Sequence, residues 1–139
     1  MKVVLKTLNK YILRLDPKEG LIEELKNFAE KERIRAGTFY ALGSTADLIL
    51  SWYNMDKKKY EDKTFREKLE VISILGNIAT MEKEIIVHAH GSFSDRNMKM
   101  IAGHIKKMVV SATCEIVFTR FNGKLERRFD KKTGLNLLQ

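Results

Sequence analysis

Residues 84–104 read EIIVHAHGSFSDRNMKMIAGH, and they contain a strand pattern, a short polar segment and all three histidines of the chain. Its first ten residues are rich in β-branched side chains, which favours a strand over residues 84–93. Side chains two apart on a strand point to the same face, so His88 and His90 project together. A short polar loop, residues 94–99, allows the chain to come back over that face, where His104 follows.

These three residues are all the histidines of the chain, and together they predict a metal site. Neutral imidazoles suit Zn²⁺ and, less exclusively, Ni²⁺, Cu²⁺ or Fe²⁺. Three protein ligands leave a fourth position for water or substrate, as in catalytic or binding zinc sites. His-x-His on a strand is weak evidence of metal binding when taken alone. The alternative that the histidines are ordinary polar side chains therefore stays open. The carboxylates of Glu70, Asp95 and Glu115 are candidates to support the imidazoles or to serve as a base.

In the rest of the chain, the pattern of apolar residues predicts one helix among strands. Apolar residues at helical spacing begin at Leu21 and predict a helix that runs to about Arg33 and packs on the core. Alternating or β-branched segments predict strands at residues 10–15, 38–42, 46–53, 60–65, 69–75, 84–93 and 109–121.

A tight turn is predicted after the last of these strands. Asn122-Gly123 is a strong hairpin signal, so residues 124–129 are expected to return antiparallel to residues 109–121. One helix amid about seven strands predicts a single α+β domain over residues 1–139, with an antiparallel or mixed sheet. The sheet strands carry apolar residues on both faces, and one helix cannot cover both, so further subunits are expected to do so.

Length and cysteine content narrow the class of protein. The 139 residues are the size of one ordinary domain. A single cysteine, Cys114, excludes an intrachain disulfide and favours a cytoplasmic protein. Its place in an apolar strand predicts an inert buried thiol. We expect no membrane association, because no signal-peptide pattern is visible and no run approaches the roughly 18 apolar residues of a membrane span.

The charge balance allows two interpretations. Lysine and arginine total 26 against 18 aspartate and glutamate, a net charge of +8 that attracts polyanions such as nucleic acid. High lysine and glutamate content with one glutamine and one cysteine is also a thermophile-like composition. The sequence does not decide between a polyanion-binding surface and a charged thermophile surface.

Several motifs, in order along the whole chain, resemble the PPC domain, the "plants and prokaryotes conserved" domain. They are LRLD at 13–16 with Glu19, ALGS at 41–44, LEVISILGNI at 69–78, HAHGSFSD at 88–95 with AGH at 102–104, and ATCEIV at 112–117. They are similar to the family's Arg-Leu-x-x-Gly-Glu opening, its glycine turn, its Phe-Glu-Ile-Leu-Ser-Leu-x-Gly stretch, its His-x-His and Gly-Gly-His motifs, and its terminal Glu-Val-Val strand. Ala102 stands where the family usually has the first glycine of Gly-Gly-His.

The resemblance implies an α+β fold that assembles as a homotrimer, with His88, His90 and His104 as its metal-type triad. Plant members carry AT-hooks beside this domain, but this chain has no Arg-Gly-Arg-Pro core, and its only proline is Pro17. Two functions therefore remain open. One is a trimeric interaction or regulatory module that contacts DNA or protein partners, with any DNA contact non-specific and made through charge. The other is a small metal-dependent enzyme that uses a zinc-bound water on a small substrate.

Overall fold

The chain folds into nine strands and one helix, and the computed structural model describes all residues 1–139. Strands β1 to β7 form one sheet in the order β1-β2-β7-β6-β5-β3-β4, and every strand pair is antiparallel. The α+β prediction is confirmed. The elements are β1 Lys2–Lys6, β2 Lys10–Leu15, α1 Leu21–Lys31, β3 Gly37–Asn54, β4 Lys59–Phe65, β5 Leu69–Met81, β6 Glu84–Ser94, β7 Met100–Arg120, β8 Arg127–Asp130 and β9 Leu135–Leu138.

Two long strands close the sheet on itself. Strand β7 pairs with β2, β3 and β6, and β3 pairs with β4, β5 and β7, so β3, β5, β6 and β7 form a closed ring of hydrogen bonds. The prediction of two strands at residues 38–42 and 46–53 is wrong, because β3 runs through both. Gly43 takes a φ of +152° and shifts the register there, so the chain bulges instead of turning.

The helix packs its apolar side chains into the core of the main sheet. Its buried side chains are Leu21, Leu25, Phe28 and Ala29, as the apolar spacing predicted. It contacts β6 and β7, the two strands that carry the histidines. The helix ends at Lys31, slightly before the predicted end near Arg33. With 11 residues, it is too short to span a membrane.

The C-terminal segment departs from the sequence prediction. Residues 124–129 do not pair with β7; instead β8 pairs with β9 in a separate two-stranded sheet, which we call the C-terminal hairpin. Both edges of β7 over residues 114–119 are already bonded, to β2 on one side and β3 on the other. The hairpin therefore lies against other elements, with the Tyr53 hydroxyl donating to the Thr133 carbonyl at 2.7 Å.

Candidate metal centre

The three histidines meet at the β6–β7 connection. His90 and His104 are direct cross-strand partners, and His88 lies two residues earlier on the same face of β6. The predicted return of the chain is confirmed, although His104 lies within β7 and not in a loop. The three ring centroids are 5.1, 5.1 and 5.3 Å apart, and one ligand nitrogen from each ring lies within 4.8 Å of the other two.

This geometry fits a first-row divalent metal. A tetrahedral ion with metal–nitrogen distances of about 2.0–2.1 Å holds its ligand nitrogens about 3.3–3.4 Å apart. The Nε2 atoms of His88 and His90 are already 3.2 Å apart. His104 needs only a small side-chain adjustment, and its Nδ1 is buried without a hydrogen-bond partner. Three neutral imidazole nitrogens are the donor set of a zinc site with an open fourth position.

The surroundings favour neutral imidazoles. Burial lowers the pKa of His88 to about 4, and the positive charge of Arg127 acts in the same direction. Burial also lowers the pKa of His104, with the neighbouring His90 and Arg127 adding to the effect. Both rings are therefore uncharged at neutral pH, the state in which imidazole can bind a metal.

Arg127 is the side chain that contacts this cluster from the C-terminal hairpin. Its Nη2 donates to Nδ1 of His88 at 3.2 Å and to Oδ1 of Asn77 at 2.8 Å. Asn77 lies directly opposite His88 on β5. Sequence reasoning missed this residue, because Arg127 falls in a segment that was expected to pair with β7. Only the position of the C-terminal hairpin brings it here.

A cavity of about 300 Å³ opens beside the histidines. His88 and His104 form one wall, and the C-terminal hairpin forms the other through Arg127 and Leu135. The ring of Tyr60, from β4, stacks on His104 with centroids 5.0 Å apart. A small molecule in this cavity would lie beside the rings of His88 and His104, two of the residues that could hold a metal.

The predicted carboxylates lie elsewhere. Glu70 and Asp95 line a separate groove of about 500 Å³, and Asp95 accepts the backbone N–H groups of Asn97 and Lys99 in the β6–β7 loop. Glu115 is exposed on β7, opposite Arg14 of β2. The structure has no hydrogen bond or ion pair between any of these three carboxylates and a histidine.

The single cysteine takes no part in this site. Cys114 is fully buried in β7, and burial raises the pKa of its thiol to about 12. The thiolate is the reactive form, so the thiol is inert at neutral pH. The prediction of a buried thiol is confirmed.

Comparison with known proteins finds solved structures of the same fold. A structure of a proposed DNA-binding protein from Bacteroides thetaiotaomicron is 27% identical, with a TM-score of 0.93 over 97% of this chain and 94% of that one. A metal-containing protein from Archaeoglobus fulgidus is 28% identical, with a TM-score of 0.88 over 100% of this chain and 99% of that one. The bifunctional protein GlmU of Synechococcus is 29% identical over 91% of this chain, which spans only 19% of that relative's length.

The family assignment follows from the sequence as a whole. The model of the Plants and Prokaryotes Conserved (PCC) domain matches residues 4–122, which include nearly all of the main sheet and the three histidines. This is the domain that the motifs of the sequence resemble. The chain belongs to the Plants and Prokaryotes Conserved domain family.

Proposed function

We propose that this chain binds one divalent transition metal, zinc by preference, through His88, His90 and His104, and acts as a trimeric module that contacts DNA through charge. The observation that carries the metal assignment is the spacing of the three imidazoles, two of which already stand at ligand distance. The metal-containing neighbour from Archaeoglobus supports it. All three ligands come from one chain, so each subunit would hold its own ion.

Zinc loading of the tag-free protein tests this assignment. The protein is stripped with a chelator, reloaded with zinc, passed over a desalting column and measured by elemental analysis. We expect close to one zinc per chain. If zinc, nickel, copper and iron all fail to reach stoichiometric binding, the histidines serve the structure alone.

An exposed apolar patch supports the proposed homotrimer. Tyr40 and Leu75 are cross-strand partners on β3 and β5, and they are 57% and 67% exposed. Leu42, two residues from Tyr40 on the same strand face, is 56% exposed. A cluster of large apolar side chains on a sheet face is typical of a subunit interface. Additional copies of the chain are the occupants that the family resemblance selects, and closed threefold symmetry would bury the patch.

Two adjacent turns support the proposed contact with DNA. The β3–β4 turn and the turn of the C-terminal hairpin are joined by a hydrogen bond from Nζ of Lys58 to the carbonyl of Lys131, at 3.0 Å. The lysines of these turns, together with the first residue of β4, are all exposed, and we call these five residues the basic tip: Lys57, Lys58, Lys59, Lys131 and Lys132. A cluster of this kind binds phosphates without reading bases, because nothing in it matches a groove-reading element.

A metal-dependent enzyme is the second candidate function. The cavity of about 300 Å³ beside His88 and His104 favours it, since a substrate there would meet the open metal position. A zinc ion held by the three histidines would act as a Lewis acid there. Screening the zinc-loaded trimer for hydrolysis of small esters and lactones, against His104→Ala, tests this candidate.

Cytoplasmic residence stays a prediction. It is consistent with a single cysteine that is reduced and buried.

A further inference from the structure

Arg127 lies outside the residues 4–122 that the family model matches, yet its guanidinium reaches a proposed metal ligand. Nη1 donates to the carbonyl of Asn136 on β9, and Nη2 donates to Oδ1 of Asn77, both at 2.8 Å. Nη2 also lies 3.2 Å from Nδ1 of His88. The Arg127 side chain therefore connects the C-terminal hairpin to Asn77 on β5 and to His88 on β6.

This contact fixes where His88 carries its proton. A guanidinium has only donors and stays charged at all ordinary pH values, so Nδ1 of His88 must accept. A neutral imidazole that accepts at Nδ1 carries its proton on Nε2. That Nε2 lies 3.2 Å from Nε2 of His90, to which it donates. Without metal, the three groups form a chain of hydrogen bonds from Arg127 through His88 to His90.

A metal at the three histidines needs the opposite arrangement. Nε2 of His88 faces the other imidazoles, so this nitrogen must offer its lone pair to the ion. Metal-bound histidines usually donate the other ring N–H to a carboxylate, a carbonyl or a water. Here the neighbour of Nδ1 is a guanidinium with only N–H groups to offer. A proton on Nδ1 of His88 would point at an N–H group of Arg127. Metal binding at Nε2 and the hydrogen bond from Arg127 to Nδ1 therefore exclude each other.

We propose that Arg127 and a divalent metal compete for His88, so that docking of the C-terminal hairpin and metal binding oppose each other. This inference rests on the metal site proposed above. When the metal binds, the proton of His88 passes from Nε2 to Nδ1 through solvent, and Arg127 withdraws. Charge acts in the same direction, because a cation repels the guanidinium and no carboxylate forms an ion pair with Arg127.

The hairpin loosens in this exchange but stays attached. The Tyr53 hydroxyl still donates to Thr133, and Lys58 still donates to Lys131. Coupling between two binding events is reciprocal, so whatever holds the hairpin down weakens metal binding by the same factor. A partner or ligand that engages the C-terminal hairpin would therefore control the metal occupancy of the histidines.

The test compares Arg127→Met with Arg128→Met. Arg128 is the exposed neighbour on β8 and makes no side-chain hydrogen bond or ion pair, so it is the matched control for charge and position. Zinc affinity is measured by competition with a chromophoric chelator. We expect Arg127→Met to bind zinc about tenfold more tightly than wild type, the effect of removing a charged hydrogen bond, and Arg128→Met to differ little. Arg127→Gln replaces the Met variant if that variant does not fold.

Two further measurements report on the competition directly. Nitrogen chemical shifts of His88 in the metal-free protein should show the proton on Nε2 in wild type, and this preference should disappear in Arg127→Met. Amide hydrogen exchange over residues 127–138 should accelerate when zinc is added to wild type, and should be fast with or without zinc in Arg127→Met.

The outcomes separate this inference from the proposed function. Stoichiometric zinc in wild type with equal affinity in Arg127→Met would leave the metal site standing and overturn the competition. Slower exchange of the hairpin on zinc addition would overturn it too, since the metal would then be tightening the contact. Zinc binding that is at least tenfold tighter in Arg127→Met than in wild type, with Arg128→Met unchanged, would support it most strongly. Failure of both proteins to bind any metal would overturn both proposals.

Discussion

The substitution His104→Ala should abolish high-affinity metal binding while leaving the fold intact. Of the three proposed ligands, only His104 lies on β7, opposite His90 across the strand pair. Structural zinc sites with four ligands have apparent binding free energies of about 10–16 kcal/mol, so one ligand contributes about 2.5–4 kcal/mol if the share is equal. That corresponds to an affinity weaker by a factor of about 10²–10³.

The fold should survive because His104 is half-buried and lies outside the apolar core. The assay is zinc titration against a competing chelator on tag-free protein, with circular dichroism and thermal melting as checks on folding. Lys99→Ala is the matched control, since Lys99 is exposed in the β6–β7 loop and its side chain makes no hydrogen bond or ion pair. An affinity of His104→Ala within threefold of wild type would show that this histidine is not a ligand, and the tridentate site would be refuted.

Acid pH, the exposed apolar patch and the basic tip each give a further prediction. The pKa of His88 is lowered to about 4 in the folded metal-free protein, against about 6.5 when unfolded, so its contribution to the free energy of unfolding should be fully present above about pH 6.5 and be lost as the pH drops towards 4. In a series of thermal melts, the melting temperature should depend less on pH in His88→Gln than in wild type. An unchanged pH dependence would contradict the lowered pKa. Leu75→Asp should convert the trimer, about three times 16.1 kDa by light scattering, into monomer; a wild type that is already monomeric would end the trimer proposal. Replacing the lysines of the basic tip by glutamine should weaken DNA binding equally for all sequences. The slope of the logarithm of the association constant against the logarithm of the salt concentration should become shallower by about 0.9 for each phosphate that is no longer neutralised. Nanomolar binding of one sequence, but not of its scrambled version, at physiological salt would contradict non-specific binding.

The part of the site that could be predicted from the sequence is local. His88 and His90 share a strand face by the period of two, and a five-residue gap between β6 and β7 brings His104 back. The apolar spacing of the helix likewise depends on neighbours three and four residues apart. These features follow from backbone geometry within one element or one hairpin, and the structure agrees with them.

The errors concern pairing between distant segments. The sequence pattern predicts separate strands at residues 38–42 and 46–53, with Gly43 between them. Glycine marks both turns and bulges, and only the partners on β5 and β7 decide between the two. Asn122-Gly123 predicts a hairpin turn, because Asn-Gly is a strong local turn signal. A turn signal cannot reveal that both edges of β7 are already occupied by β2 and β3.

The same distinction explains why the histidine cluster could be predicted and its contact with Arg127 could not. The three histidines lie within 17 positions of one another in a single hairpin, from residue 88 to residue 104. Arg127 reaches His88 only because the C-terminal hairpin, excluded from β7, lies against β5 and β3 instead. Histidine spacing alone therefore predicts where a metal would bind. How tightly it binds depends on a donor-only side chain from a distant segment, which holds the proton of His88 on the nitrogen that the metal requires.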